Sequence, residues 1–510
     1  MTKRLNDYYY ANPEACRISI QSQNTKPIGL FDHATTSFVS TRLPPAPFLV
    51  PVIIDALGQS EIYKGVVEVV PGEADLYCGR SVKQHGGLVL TGDSDLLVHD
   101  LGADGSTSFF KDIDHQSDNS GGLRSLIYYP ATIADRLSLP QSHGLRALAF
   151  EMIMDSHGTF RKLLGQSITL KTINMHEDQY LDFLKPYNAL SQSTTDSANC
   201  SSGYPCQFMK FLRTLDPRIS EWVFQFPSIA RCTDSIAPAA QLETNSIHVF
   251  LPFLVDCPIR TTAWEASTSL RQLAYGLLKN VTSTSEQEYC VFEHRRQNNI
   301  NGKGYQLPNT PVTSGACTNL INLIEHLHHN FSHLPVPDRW IAFAVYQQVE
   351  WSSSAGKLVN SNFIVQKLPT LQTQTYLNNC TWDNLQFLAQ VQGVFYSLRM
   401  LQQITGLLMS GGFERPCMKE ASTLYDQLKS LPPLKDVPSF TCAVTLTHKV
   451  RAEHMVQAAY KILGIKEQRS LEIQETSENI RKKRKSGKNM APKAPGRKQV
   501  NNSFELLEVE

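Results

Sequence analysis

The first clear pattern in the chain is a pair of short apolar runs with a helix-like segment between them. Residues 66–70 form a β-branched run that predicts a buried strand, and residues 88–91 predict a second strand. Pro71 and Gly72 end the first run, and residues 73–84 predict a helix whose acids lie near the positive end of its dipole. This order of strand, helix and strand predicts a βαβ unit, which builds a parallel sheet with a right-handed crossover.

Further apolar runs on both sides extend this α/β pattern. Strands are predicted at residues 106–113 and 125–129, and helices at residues 48–57, 130–139 and 145–154, with another beginning at Thr159. Beyond about residue 165 the pattern becomes mainly helical. Apolar side chains at three- and four-residue spacing predict one long amphipathic helix over residues 385–408. We interpret that apolar stripe as core rather than as a binding groove.

Charge is distributed unevenly along the 510 residues. The net charge is +1, but residues 479–500 contain nine Lys or Arg and no Asp or Glu, so the remainder has 39 basic and 47 acidic residues and a net charge of −8. Any affinity of this remainder of the chain for nucleic acid therefore has to come from a local patch of basic residues. The sequence after about residue 471 is charged and poor in aromatics, which predicts a disordered tail.

The basic run of this tail includes Lys482, Lys483 and Arg484. Such a run is typical of a nuclear-import signal or of nonspecific nucleic-acid binding, and a merely solvated tail is the alternative. We therefore expect a nuclear or nucleo-cytoplasmic protein.

Composition and cysteine usage argue against several classes of protein. With 41% hydrophobic and 19% charged residues, the chain has the composition of a soluble globular protein. Its eleven cysteines are scattered and contain no C-x-x-C pair, which argues against a disulfide framework and a zinc site and favours a reducing compartment. The first twenty residues lack the apolar core of a signal peptide, and no later apolar run approaches about 20 residues. We expect neither secretion nor contact with a membrane.

Two acidic pairs follow the two predicted strands. Glu73 and Asp75 come after the first strand, and Asp93 and Asp95 come after the second. Functional groups in a parallel sheet collect at the carboxyl ends of the strands, so the four carboxylates converge if the two strands are neighbours. Such a cluster repels itself unless a cation neutralises it, and oxygen-only ligands suit Mg²⁺ or Mn²⁺. Two ions about 4 Å apart can activate a water and stabilise a leaving oxygen, which predicts phosphodiester hydrolysis.

The alternative is that these acids only cap helix starts and turns, as Asp and Glu commonly do. An Asp-x-Asp sequence alone is weak evidence. Two acidic pairs, each after an apolar strand and separated by one helix, form a much more specific combination and favour the nuclease interpretation.

The residues around these acids resemble a known family. Residues 70–75 (VPGEAD) and 87–100 (GLVLTGDSDLLVHD) are similar to the internal region of the XPG/flap-endonuclease family, with the Asteroid-type branch as the best likeness. Further similarity to that branch occurs upstream at residues 43–45 and 47–51, and downstream at residues 250–253, 271–275 and 292–296. The resemblance covers most of the chain, and the acidic block is its most specific part.

The resemblance implies a PIN-like domain that cuts structured DNA or RNA with Mg²⁺ or Mn²⁺. It assigns metal binding and catalysis to the four acids of the block, Glu73, Asp75, Asp93 and Asp95. Asp155 stands where the family has a further metal-site aspartate, and the alternative is an ordinary residue at a helix end. Basic residues such as Arg161 or Lys162 are the candidates for contacts with substrate phosphates.

The chain departs from the family's pattern in two places. The family begins with a segment that supplies two more aspartates, and no matching motif precedes Glu73; Asp32 is the only substitute, and an ordinary loop position is the simpler interpretation. The family also has a glycine-rich hairpin after its last metal-site aspartate, whereas residues 156–160 contain only Gly158. Backbone amides could not hold phosphate there in the family's manner.

These departures leave three interpretations open. The chain is an active nuclease, a non-catalytic scaffold that regulates nucleic acid, or a chain whose true start lies upstream of the first methionine. Loss of a metal-site aspartate should cost orders of magnitude in rate, which favours the scaffold for the chain as it stands. The sequence predicts no particular protein partner.

The predicted architecture has three parts. An α/β, PIN-like domain with a parallel sheet and flanking helices spans residues 1–165 and lacks its first strand or strands, a mainly helical region spans 166–470, and a basic tail spans 471–510. A dense group of histidines at positions 326–333 has mixed spacing, so we interpret it as a solvated helix end rather than a metal site.

Overall fold

The computed structural model describes most of the chain between residues 47 and 467. The described ranges are 47–70, 74–115, 123–188, 206–226, 229, 246–257, 260–282, 289–295, 302–367, 382–413, 417–439 and 442–467. They divide into two compact units, one within Val70–Ala198 and the other made of residues up to Val69 together with residues within Asn199–Asn489. The domain boundaries given by the sequence stay a prediction.

The described chain opens with helix α1 (Leu49–Gln59), which belongs to the larger unit. The strand predicted over residues 66–70 is not formed, so this prediction is wrong. Val66 is 77% exposed, and Val69 is buried but donates its backbone N–H to Arg213 O (3.3 Å) in an irregular segment. A β-branched run forms a strand only where a neighbouring strand completes its hydrogen bonds, and none of the described residues provides one here.

The smaller unit contains two short sheets followed by five helices. Its elements are α2 (Ala74–His85), β1 (Gly87–Thr91), β2 (Gly105–Phe109), β3 (Ile113–His115), β4 (Leu123–Ser125), α3 (Pro130–Arg136), α4 (Leu145–Met154), α5 (Phe160–Thr169), α6 (Lys171–Met175) and α7 (Glu177–Asn188). Strands β1 and β2 are parallel, and β3 and β4 are antiparallel. The α/β class and the predicted helices are confirmed, but the described residues form two small sheets rather than one complete PIN-like sheet.

Only one face of β1 is covered by side chains of the described core. Val89 packs in a buried cluster with Val82, Leu96 and Leu101. On the opposite face, Leu88 is 48% exposed and Leu90 is 45% exposed. Parallel strands are normally covered on both faces, and β2 is buried throughout, so the exposed part of this sheet is confined to one face of β1.

The helices of the smaller unit form two further apolar clusters. Helices α3, α4 and α5 meet around Leu148 and Leu163, whereas α4, α6 and α7 meet around Phe150, Ile173 and Tyr180. Helix α4 therefore buries residues on two sides, which explains the strongly apolar sequence of residues 145–154.

The larger unit is mainly helical around a three-stranded sheet. After α1 it contains α8 (Cys206–Leu212), α9 (Pro217–Val223), β5 (Ser246–Phe250), α10 (Thr268–Thr282), β6 (Cys290–His294), β7 (Lys303–Gln306), α11 (Thr310–Asn330), α12 (Val336–Ser354), α13 (Asn360–Lys367), α14 (Trp382–Ser410), α15 (Met418–Leu428), α16 (Ala443–Ala452) and α17 (Met455–Leu463). Strand β6 pairs with β5 in parallel and with β7 in antiparallel orientation. No described helix is both long enough and apolar enough to cross a membrane.

Helix α14 is the predicted long helix, but it is not amphipathic. Its residues from Leu385 to Leu408 are buried nearly all round, including several glutamines. These glutamines are tolerated in the core because they hydrogen-bond: Gln386 accepts from Cys257 N (2.8 Å), and Gln392 donates to Pro438 O (2.9 Å). The apolar stripe lies in the core as predicted. Several polar side chains of the helix are buried as well.

The histidines at positions 326–333 form no metal site among the described residues. His326, His329 and His333 are exposed, which confirms the interpretation of a solvated helix end for these three. His328 instead packs edge-on against Trp340, with ring centroids 4.7 Å apart.

A buried charge network joins the sheet of the larger unit to its central helices. Glu293 in β6 accepts hydrogen bonds from Arg271 Nε (2.7 Å), Tyr275 Oη (2.9 Å) and Arg295 Nε (2.7 Å). Arg271 also donates to Ser397 Oγ (3.1 Å) in α14. Burial alone would raise the pKa of Glu293, but the two guanidinium groups and their hydrogen bonds lower the pKa to about 2. The carboxylate therefore stays charged and holds two buried cations.

We predict that Glu293→Gln lowers the free energy of unfolding by about 3–5 kcal/mol, because it leaves the buried guanidinium of Arg271 without its counter-charge, whereas Arg295 keeps its ion pair with Glu265. The measurement is the midpoint of urea denaturation. Glu61→Gln, which removes the exposed partner of Lys64, serves as the control and should leave the midpoint nearly unchanged. Equal midpoints for the two variants would show that the buried network is not a source of stability.

Candidate metal centre

The turn after β1 carries two of the predicted acids. Asp93 donates its backbone N–H to Thr91 Oγ1 (3.0 Å), and its carboxylate accepts the backbone N–H of Asp95 (3.4 Å) at the start of a 3₁₀ turn, Ser94–Leu97. Leu96 is 1% exposed and anchors this turn in the core beside Val89. The buried leucine fixes the backbone, so both aspartates are presented at the carboxyl end of the strand.

Asp75 reaches the same place from helix α2. It lies in the first turn of the helix, where the positive end of the dipole favours a carboxylate. One carboxylate oxygen from each of Asp75, Asp93 and Asp95 lies within 4.8 Å of the other two. The structure therefore brings together three of the four acids singled out by the sequence.

The electrostatics of the cluster indicate repulsion between its carboxylates. Burial, the hydrogen bond to Asp93 and the negative charges of Asp93 and Asp75 raise the pKa of Asp95 to about 6. The Oδ1 atom of Asp95 is buried and has no hydrogen-bond partner among the residues that the structure describes. A buried carboxylate oxygen with a free lone pair, beside two more carboxylates, is the donor set that a hard divalent cation requires. The residues present therefore fit Mg²⁺ or Mn²⁺.

Another acid of the same motif provides a contrast. Asp100 accepts a hydrogen bond from Lys83 Nζ (2.6 Å), so its charge is balanced within the protein. The lysine makes Asp100 a structural residue, whereas the pKa of Asp95 is raised by its carboxylate neighbours Asp93 and Asp75.

Asp155, the further metal ligand implied by the resemblance, is paired with a lysine. It ends helix α4 and accepts a hydrogen bond from Lys162 Nζ (2.6 Å), which lowers its pKa. It is not one of the three acids that meet at the turn after β1. Its role in metal binding stays a prediction, and its observed partner is the ammonium group of Lys162.

The turn between α4 and α5 is tightly closed around Gly158. A Cβ atom at this position would lie 2.7 Å from Leu163 Cδ2 and 2.9 Å from Asp155 Oδ2, so only glycine fits without a shift. Gly158 donates its backbone N–H to Asp155 O (3.0 Å). The amide is used within the turn, which agrees with the expectation that it does not hold phosphate.

The remaining predicted residues divide into exposed and undescribed positions. Arg161 is exposed on α5, and Lys162 is held by Asp155. Five of the candidate site residues considered in the sequence analysis lie outside the described ranges: Asp32, Glu73, Lys482, Lys483 and Arg484.

Two aromatic residues beside the cluster were missed at the level of sequence. His99 follows the 3₁₀ turn and is buried, and the ring of Tyr187 in α7 packs edge-on against it with centroids 4.9 Å apart. Burial raises the pKa of Tyr187, and the negative charges of Asp95 and Asp93 add to this shift. His99 lies inside the acidic motif and could have been flagged, but no sequence signal connects Tyr187 with it.

Comparison with known proteins agrees with this site. A family model described as XPG domain containing matches residues 45–304, which is just over half of the chain and includes every acid of the cluster. No curated protein and no solved structure matches the chain. Members of such nuclease-like families generally use divalent metals and act on nucleic acid, as the three converging carboxylates also suggest. The chain therefore belongs to the family of XPG-domain-containing proteins.

Proposed function

We propose that this chain is a divalent-metal-dependent nuclease of the Asteroid-type branch, acting on structured DNA or RNA. The observation that carries the proposal is the convergence of Asp75, Asp93 and Asp95 within 4.8 Å, with a buried oxygen on Asp95 to which no described residue donates a hydrogen bond. Carboxylates that repel each other at a strand end are costly to a fold, and a bound cation offsets that cost. Membership of the XPG-domain family supports a phosphodiester of nucleic acid as the proposed substrate.

Each residue of the site has a distinct task in this proposal. Asp93 and Asp95 hold the cation from the rigid turn, and Asp75 closes the site from the first turn of α2. A bound Mg²⁺ or Mn²⁺ supplies charge stabilisation for the phosphodiester and a water of lowered pKa. We assign Glu73, two residues before Asp75, as a fourth ligand. Arg161 is exposed in the same unit and is our candidate for contact with a substrate phosphate.

A second candidate function is a non-catalytic scaffold that binds nucleic acid. It is favoured by the ion pair between Asp155 and Lys162, which neutralises the acid that the resemblance assigns to the metal site. A site with fewer carboxylates holds fewer ions, and support for both the attacking and the leaving oxygen needs two. In this case the chain would bind its substrate without cutting it.

We predict that the purified chain cuts flap or hairpin substrates, made as DNA and as RNA, only with Mg²⁺ or Mn²⁺. Asp93→Ala should lower the cleavage rate at least about 100-fold, because a ligand to the ion is removed. Asp104→Asn, an exposed acid of the same unit, is the matched control and should cut at the wild-type rate. Rates are measured in single-turnover reactions.

The outcomes of this experiment separate the two candidate functions. Equal cutting by wild type and Asp93→Ala would exclude the acidic cluster as the site. Binding without any cutting by the wild-type chain would favour the scaffold.

We predict that pH has opposite effects on stability with and without metal. Because the pKa of Asp95 is raised to about 6, the metal-free folded state loses stability as pH rises from about 4 to about 6, where Asp95 has to ionise beside Asp93. Metal binding requires the ionised form, so Mn²⁺ affinity should rise up to about tenfold per pH unit below about 6 and level off above it.

The measurement is the melting temperature across pH 4–8, once in EDTA and once in Mn²⁺. Asp95→Asn should flatten the pH dependence in EDTA and greatly reduce stabilisation by Mn²⁺. A wild-type profile in EDTA that shows no decline over this range would contradict the proposed charge state of the cluster.

We also propose that the basic run places the protein in the nucleus. Substitution of Lys482, Lys483 and Arg484 by Ala should shift a fluorescent fusion from the nucleus to the cytoplasm, because an import signal depends on clustered positive charge. Imaging of the two fusions in cells is the measurement. An unchanged distribution would assign the tail a different role.

A further inference from the structure

His99 joins the two elements that carry the acidic cluster. It follows the 3₁₀ turn of Asp95 and packs against α2 at Gly79, where an added Cβ would lie 3.5 Å from His99 Cβ. Gly79 lies one helical turn after Asp75. The buried imidazole therefore fills the space between the helix of Asp75 and the turn of Asp95, close to the point at which substrate would meet the metal.

Tyr187 is held against His99 by a row of aromatic rings. Its ring lies 4.9 Å from that of His99 and 5.1 Å from that of Phe183. Phe183 in turn contacts Phe150 and Tyr180, at 5.6 and 5.9 Å between centroids. These contacts anchor the inner side of Tyr187 in the apolar core of α4 and α7. Its position is therefore set before any ligand arrives.

The outer part of Tyr187 remains accessible beside the acids. The residue is half-buried, unlike its neighbours His99 and Tyr180, which are buried. Through its contact with His99, which lies four residues after Asp95 and packs on α2 at Gly79, the ring of Tyr187 borders the two elements that carry Asp95 and Asp75. Burial raises the pKa of Tyr187, and the charges of Asp95 and Asp93 add to this shift.

We propose that Tyr187 is a substrate-contacting residue, whose ring stacks on an unpaired nucleobase beside the phosphate that a cation bound to the acidic cluster would hold. The proposal rests on the proposed nuclease function and deepens it, because it specifies an unstacked nucleotide next to the scissile bond. A base fits better than a second phosphate, since three neighbouring carboxylates repel anions whereas every base offers a neutral π-face. Stacking on an aromatic side chain tolerates any base and selects for single-stranded character.

The experiment measures equilibrium binding of oligonucleotides by fluorescence anisotropy in Ca²⁺, to separate binding from Mg²⁺-dependent cleavage. The substrates are a hairpin with a single-stranded arm and a series in which one abasic site moves along that arm. Tyr187→Leu keeps apolar contact with His99 and Phe183 but removes the ring, and Tyr187→Phe keeps the ring but removes the hydroxyl. Tyr63→Ala, an exposed tyrosine of the larger unit, is the control.

We expect Tyr187→Leu to weaken binding about 5- to 150-fold, and Tyr187→Phe and Tyr63→Ala to bind like wild type. One abasic position should weaken wild-type binding by a similar factor and make wild type and Tyr187→Leu equal, as a direct contact requires. Mn²⁺ affinity, measured by calorimetry, should be the same for wild type and Tyr187→Leu, because the acids remain in place.

Three results would overturn the stacking contact. They are equal affinities of wild type and Tyr187→Leu on the intact substrate, a loss that is the same at every abasic position, and a loss in Tyr187→Phe as large as in Tyr187→Leu. A loss that is independent of the base indicates a packing role only.

Cleavage in Mg²⁺ is scored separately on the same substrates. A wild-type chain that does not cut but keeps the position-specific effect of Tyr187 would overturn the proposed catalysis and leave the stacking contact standing. A chain that cuts, with no effect of Tyr187 on binding, would overturn the contact alone. A wild-type chain that binds none of the oligonucleotides would overturn both.

Discussion

Repulsion between three carboxylates is the constraint around which the smaller unit is organised. Asp75, Asp93 and Asp95 have oxygens within 4.8 Å of each other, and the charges of Asp93 and Asp75 help to raise the pKa of Asp95 to about 6. The backbone has to hold them together against this repulsion. Leu96 does so from the core side of the turn, and the N-terminal turn of α2 does so for Asp75.

In the larger unit, a buried carboxylate, that of Glu293, is instead neutralised by arginines. Glu293 is enclosed by Arg271, Arg295 and Tyr275, so every lone pair that faces the core has a donor. This network joins β6 to α10 and α14. The comparison clarifies the acidic cluster, because arginines lower the pKa of the structural carboxylate Glu293, whereas neighbouring carboxylates raise the pKa of Asp95.

The sequence predicted the chemistry of the site better than the sheet around it. The acids follow a strand end in a recognisable motif, and β1 and α4 are set by local apolar patterns, so both could be located within a residue or two. The strand expected over residues 66–70 failed because strand formation depends on a partner that local pattern does not reveal. The polar face expected on α14 failed because buried glutamines and surface glutamines look alike in a sequence.

Side-chain partners were the least predictable part of the site. The resemblance placed Asp155 at the metal and Lys162 at a phosphate, whereas the structure joins the two to each other. Tyr187 is far from the acidic motif in sequence, and its position depends on how α7 packs onto α4. Contacts of this kind follow from tertiary packing, and neither spacing nor composition encodes them.

The exposed face of β1 has a consequence for experiments on fragments of this protein. Leu88 and Leu90 point away from the described core, and β1 pairs only with β2 among the described strands. A strand with an open edge and exposed leucines is a template for pairing with another chain. The unit within Val70–Ala198, expressed by itself, would therefore carry an aggregation-prone surface at the same strand that leads into its acidic turn.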